Sequence, residues 1–228
     1  MLLRFAFILL LIFCASVFKG QSSNPFMTDA DGRPLYLHAD YKADGSPYLS
    51  DKYQLADVIA ADGKIYTGIM VKIDLAENRV VYMVKEGMEM VASLPVSKIV
   101  FNNYINDDGV IESNVFIGYP KALNEPGNAV YQVLETGNAT LLRNIKVTYR
   151  DDRKYNEAGK TRIFSQTEGL FALLPGNKLV KVEKGQEALA ALFPDKMKEV
   201  AAFIQSSHLK CKSKEDAVAV FKFYNSLK

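Results

Sequence analysis

The chain has 228 residues, 28 of them basic and 26 acidic, with 49% hydrophobic residues, no tryptophan and two cysteines. Arg4 and Lys19 lie in its first 20 residues, so the remainder is electrically balanced and lacks the long basic run that nucleic acid or an anionic membrane surface would attract. That remainder is long enough for one core or two small ones, and Cys211 is its lone thiol, which excludes an internal disulfide.

At the start, Arg4 precedes the apolar run Phe5 to Phe18, which is followed by Lys19, Gly20, Gln21 and two serines. This is the layout of a secretory signal peptide over residues 1 to 20, cleaved between 16 and 22. The run is shorter than the roughly 20 residues that cross a bilayer as a helix, so no transmembrane segment is expected after cleavage. The bulky Phe13 argues against lipidation at Cys14. In an exported chain Cys211 is expected either to be buried or to pair between chains.

Residues 24 to 52 are polar and punctuated by Asp31-Gly32, Asp44-Gly45 and Ser46-Pro47, which reads as turns around short extended pieces. Tyr36, His38, Asp40, Tyr41 and Tyr48 gather here, with Asp44, Asp51 and Tyr53 beside them. Such a mixture can stack on a sugar ring and hydrogen-bond its hydroxyls, so these residues are the candidate ligand-binding set. The competing reading is that the tyrosine rings pack on a sheet edge and leave their hydroxyls wet.

From Gln54 to Phe101 the chain reads as a meander of short strands. Asp62-Gly63 predicts a two-residue hairpin turn. After it, Ile65, Thr67, Ile69, Val71 and Ile73 alternate with Tyr66, Gly68, Met70, Lys72 and Asp74, so one face should be buried. Strands are expected over Arg79 to Lys85, Met88 to Leu94 and Pro95 to Phe101, with a return over Ile111 to Ile117. A second hairpin joins Ala129–Glu135 to Ala139–Tyr149 through Thr136-Gly137-Asn138, read as left-handed turn residues. Arg150 to Arg162 is charged and reads as a solvated loop, and a third hairpin joins Ile163–Leu174 to Lys178–Val182.

Beyond Val182 the period becomes helical. Gln186 to Leu192 is a short helix, Pro194 suits the first position of the next, and Met197, Val200, Ala201 and Ile204 make its stripe. Ser213 caps a last helix, with Asp216 three residues on and a stripe of Ala217, Val220, Phe221, Tyr224 and Leu227. The expected fold is α+β: mainly antiparallel β hairpins over residues 21 to 183, as an open sheet or a barrel, with two or three helices from residues 184 to 228 packed on it.

Gly45-Ser46-Pro47-Tyr48-Leu49, Asp62-Gly63-Lys64-Ile65-Tyr66, Tyr131-Gln132-Val133-Leu134 with Leu141-Leu142, Leu192-Phe193-Pro194-Asp195-Lys196 and the ending Phe223-Tyr224-Asn225 carry a resemblance. In these motifs the chain resembles a group of uncharacterised exported β-rich proteins of Bacteroidota with a C-terminal helix pair. It departs from them at Leu142, Arg143, Asn144 and Ile145, where they tend to keep Lys or Tyr. The resemblance implies an envelope location and brings no activity with it.

The strings H-E-x-x-H, C-x-x-C, G-x-S-x-G, the P-loop and G-x-G-x-x-G are absent, and His38 and His208 are the two histidines. His208 stands three residues before Cys211, but a structural zinc wants four ligands and no second pair follows. Asp29-Ala30-Asp31-Gly32 and Asn106-Asp107-Asp108-Gly109 superficially suggest calcium loops, yet the twelfth positions hold His38 and Val115. No cofactor and no metal are therefore expected. The reading is a non-enzymatic binding or structural component of the cell envelope, with an envelope protein or a glycan as partner. The alternative is a carbohydrate- or peptidoglycan-active protein using Tyr36 to Tyr53.

Overall fold

The computed structural model of the protein describes residues 41–92, 94–106, 109, 115–118, 130–153 and 159–227. Strand β1 (Tyr41–Asp44) is followed by β2 (Gln54–Ala60), β3 (Ile65–Asp74), β4 (Arg79–Lys85), β5 (Met88–Val91) and β6 (Val96–Phe101). Then come β7 (Val115–Ile117), β8 (Tyr131–Glu135), β9 (Thr140–Asp152), β10 (Lys160–Leu174) and β11 (Lys178–Lys181). They form one open, mixed sheet in the order β1-β10-β9-β8-β7-β6-β2-β3-β4-β5, with β11 also paired to β10. Helices α1 (Gln186–Ala191), α2 (Met197–Ser206) and α3 (Lys214–Ser226) pack on it, so the fold is α+β.

Two features depart from a simple meander. β6 crosses back to pair with β2 on the side away from β3, and β1 runs parallel to β10. The Ala60 N–H bonds the Lys64 carbonyl, so the Asp62-Gly63 turn is a three-residue loop and not a two-residue one.

The expected alternation along β3 holds only in its second half. Ile69, Val71 and Ile73 are buried, but Ile65 is 65% exposed and Tyr66 pairs inward with Val58. A bulge shifts the register there: Gly68 takes φ +66° and gives its N–H to the Asp57 carboxylate at 3.0 Å. One extra residue exchanges the two faces, which a strict two-residue period does not anticipate.

β9 and β10 are 13 and 15 residues long and pair along nearly their whole length. Of the charged stretch Arg150 to Arg162, read as a solvated loop, residues 150–152 and 160–162 form the end of this hairpin, and residues 154–158 lie outside the described residues. Asp151 pairs with Arg162 at 2.7 Å and Lys160 at 3.1 Å, so cross-strand charges replace apolar alternation.

The register places Leu141, Arg143, Ile145 and Val147 on one face of β9. Ile145 and Val147 join Val58, Val71, Ile73, Tyr82 and Ile99 in one core, so the sheet curls over itself. Leu141, further up the same face, joins Leu189, Phe193, Val200, Val220 and Phe221 in a second core under the helices. A third cluster, Tyr131, Val133 and Leu142, lies on the opposite face of β8 and β9.

The helices bury Val200 and Ile204 of α2 and Ala217, Val220, Phe221 and Tyr224 of α3 as their stripes require, but Met197 is 46% exposed and the start of α2 differs. α2 begins at Met197, and Pro194 lies in the preceding turn, where the Lys196 N–H reaches the Phe193 carbonyl at 3.1 Å. Burying Phe193 explains this: its ring stacks on Tyr224 at 4.1 Å and meets Phe221 edge-on at 5.1 Å, which holds the Phe193–Lys196 turn against α3. α2 ends with His208 N–H on the Gln205 carbonyl and Leu209 N–H on the Ile204 carbonyl, a Schellman motif with His208 left-handed at φ +53°. Ser213 caps α3 by accepting from the Asp216 N–H at 3.1 Å.

α3 is bolted to the sheet by one side chain. Asn225 accepts from the Ala139 N–H at 3.0 Å and donates to the Ala139 carbonyl at 2.9 Å and that of Thr136 at 3.3 Å. Gly137 belongs to this contact, because a Cβ there would lie 2.3 Å from Asn225 Cγ; its φ is not left-handed, contrary to the turn reading.

Asn225→Ala is expected to cost about 2 kcal/mol in chemical unfolding, since it strands the Ala139 backbone groups. His208→Gly, by removing the left-handed penalty at an exposed site, is expected to add about 1 kcal/mol in the same assay.

Candidate functional site

Of the residues singled out from sequence, Tyr36, His38 and Asp40 lie outside the described residues. Tyr41 and Tyr48 lie within them, and each faces its own cation. After β1 the chain turns through Gly45 and returns to the sheet at Tyr48, which bridges to Asp74. The Ser46 hydroxyl shapes the turn by donating to Asp51 and accepting from the Tyr48 N–H at 3.1 Å. The Leu49 N–H on the Ile73 carbonyl at 2.9 Å then fixes this segment beside β3.

That placement puts Tyr48 and Tyr53 around Lys72. The ammonium sits 4.1 Å from the Tyr48 ring centre and 4.5 Å from that of Tyr53, and Lys72 is only 9% exposed. A desolvated ammonium between two rings is the strong form of a cation–π contact, worth about 2 kcal/mol. Burial, and next the Asp74 and Glu89 charges, push the Tyr48 hydroxyl pKa up. Burial and the Glu89 carboxylate push that of Tyr53 well above the usual tyrosine range. Tyr41 stacks instead on Arg162, 4.3 Å from the ring centre, and Tyr149 lies on the same guanidinium at 3.9 Å. Tyr41 and Tyr48 therefore each give one ring face to a cation of the chain.

A different place in the fold has the shape of a ligand site. Where α1 and the start of α3 meet the β10–β11 hairpin, they enclose a cavity of about 480 Å³. Leu170, Val182, Leu189, Cys211 and Ala217 form its apolar part; Glu168, Lys181, Glu183, Lys184, Lys212 and Lys214 form its polar part. Its volume lies within the roughly 300–1,000 Å³ typical of small-molecule pockets.

Backbone geometry positions these groups. The Gly185 N–H bonds the Cys211 carbonyl at 2.9 Å, and Gln186 Nε2 donates to the Leu209 carbonyl at 2.7 Å. These two bonds join the loop before α1 to the loop before α3. Cys211 is left-handed at φ +53° and buried, and burial followed by the Asp216 charge raises its thiol pKa. The thiol is thus an apolar wall of the cavity and a poor nucleophile.

Glu168 closes the sheet side. Arg143 Nε donates to it at 2.9 Å, Nη2 makes a second bond to it, and Nη1 reaches Gln132 Oε1 at 3.1 Å. Gln132 is 1% exposed, so this fork is anchored in the sheet interior. The Arg143 hydrogen bonds hold the Glu168 carboxyl below its usual pKa.

The cavity escaped the sequence reading because its walls come from β10, β11, α1 and α3. One local signal exists: lysines alternate in Lys210-Cys211-Lys212-Ser213-Lys214, just before a capped helix. Arg143, which alternates with Leu141 and Ile145 on one face of β9, is a second.

Among the described residues no helix is long and apolar enough to cross a membrane. The chain matches no family model, no curated protein and no solved structure.

The Glu168–Arg143 pair makes stability depend on pH with a defined sign. Because the folded carboxyl is depressed, its contribution is complete above the unfolded value near pH 4.3 and is lost as pH falls through the folded pKa. Between about pH 5 and pH 3, the melting temperature of the native chain is therefore expected to fall more than that of Glu168→Gln, followed by circular dichroism.

Proposed function

We propose that this chain is an exported, non-enzymatic binding protein of the bacterial cell envelope, and that its ligand sits in the cavity between the helices and the β10–β11 hairpin. The observation that carries the reading is the cavity itself: it is bounded by two layers of the fold and held by backbone bonds between loops. Concave spaces of this size that are formed before binding are characteristic of small-molecule sites, and this one sets an apolar wall beside charged side chains. Export is supported by the leader pattern of Arg4 and the apolar run to Phe18, and the envelope setting by the resemblance described above. A binding role, in preference to catalysis, is supported by the lack of common catalytic strings in the sequence and by a raised, not lowered, Cys211 pKa at the cavity wall.

The test is to fractionate cells of origin and record native mass spectra of the protein purified from the envelope without detergent. The expected chain starts between residues 16 and 22 and carries a small-molecule adduct that organic extraction removes. An intact chain starting at Met1 in the cytoplasm would sink the export reading. Turnover of an envelope substrate, abolished by replacing one polar side chain, would sink the non-enzymatic one.

A further inference from the structure

Resting on that reading, we infer that the cavity takes a small organic anion with an apolar body, its charged group held between Lys184 and Lys212 at the mouth and its body against Leu170, Val182 and Leu189.

The charge balance at the mouth carries this. The carboxylates around the cavity have partners of their own: Glu183 is 3.0 Å from Lys181, Glu168 is gripped by Arg143, and Asp216 accepts from the Lys212 N–H at 3.2 Å. Lys184 and Lys212 have no carboxylate within ion-pair distance among the described residues. They come from different segments, yet the Gly185–Cys211 and Gln186–Leu209 bonds hold those segments together, so the two lysines border one opening. Both also border a more open hollow of about 550 Å³, to which Lys210 and Glu187 add one charge of each sign. The mouth is thus locally cationic although the chain beyond residue 20 is balanced overall.

At the start of α3 the Ser213 hydroxyl accepts from the Asp216 N–H and the Asp216 carboxylate accepts from the Lys212 N–H, so beside this capped terminus the side-chain ammonium groups are the cations on the loop.

Desolvation then selects the ligand class. Any molecule seated on the apolar wall removes water from the two ammonium groups, and a neutral body returns nothing for that loss. A cation adds repulsion to it. An anionic group offsets it through charge-assisted hydrogen bonds, which are about twice as strong as neutral ones. The cavity volume limits the body to a small molecule and excludes a folded partner.

Two fluorescent probes separate the charge from the apolar body: anilinonaphthalene sulfonate, and phenylnaphthylamine, which has the same two ring systems without the sulfonate. With no tryptophan in the chain, probe emission is read without tryptophan background. The sulfonate is expected to bind at one site per chain. The exposed double variant Lys184→Glu/Lys212→Glu should weaken it at least about tenfold while changing phenylnaphthylamine by less than about twofold. Val182→Phe, which fills the cavity, should weaken both; Leu170→Phe serves the same purpose from the strand side if Val182→Phe does not fold. If charge reversal changes both probes equally, or neither, the anion inference falls while the cavity reading stands. If neither filling variant weakens either probe, the cavity reading itself falls.

Discussion

The hairpin of β9 and β10 sets the terms for everything else in this fold. Its strands of 13 and 15 residues are more than twice the usual five or six, so one apolar face has to be covered over an unusual length. A single layer does not reach that far. The curled half of the sheet covers Ile145 and Val147, and the helices cover Leu141 and Ala172. Between these regions the same face carries Arg143, largely buried and paired with the solvent-exposed Glu168. Arg143 reaches Glu168 and the nearly inaccessible Gln132 together, so the polar break in the face is satisfied from both neighbouring strands.

The cavity follows from that division. The helix layer is anchored at one end by Asn225 on the β8–β9 turn and by the Phe193, Phe221 and Tyr224 rings. At its other end α3 starts from a loop with two left-handed residues, His208 and Cys211, that is tied to the loop before α1. Close packing rules at the ring end, where the contacts are aromatic; at the loop end, backbone hydrogen bonds hold the elements and side chains do not fill the space between them. Loops carried on a well-packed scaffold are where binding groups concentrate.

Most of the secondary structure was legible in the residues, and the misses have identifiable causes. The β4 strand, the C-terminal end of β10 at Leu174 and the Ser213 cap follow from alternation and capping chemistry that act locally. The exposure of Ile65 does not, because a bulge at Gly68 reverses the faces through a hydrogen bond from a different strand. Gly137 was legible as a turn residue for the wrong reason: its need is space for Asn225, which lies 88 positions further on. The charged end of the β9–β10 hairpin looked like a loop because Arg162, Asp151 and two tyrosines provide what apolar alternation normally provides. The tyrosine-rich segment has a composition suited to sugars, and composition alone does not tell that Tyr48 meets Lys72 and Tyr41 meets Arg162.

The two sets of cations show how the same side-chain chemistry yields different roles. Lys72 and Arg162 are enclosed by aromatic rings, and Arg162 has Asp151 as a bidentate partner, so their charge is spent within the fold. Lys184 and Lys212 stand at an opening, fixed by the backbone of their loops and left without a carboxylate among the described residues. Overall neutrality conceals this difference, because the balance is reached by pairing at some places and not at others. Charge that is satisfied internally contributes to the fold, whereas charge that the backbone holds in place without a partner lowers the cost of bringing an external one.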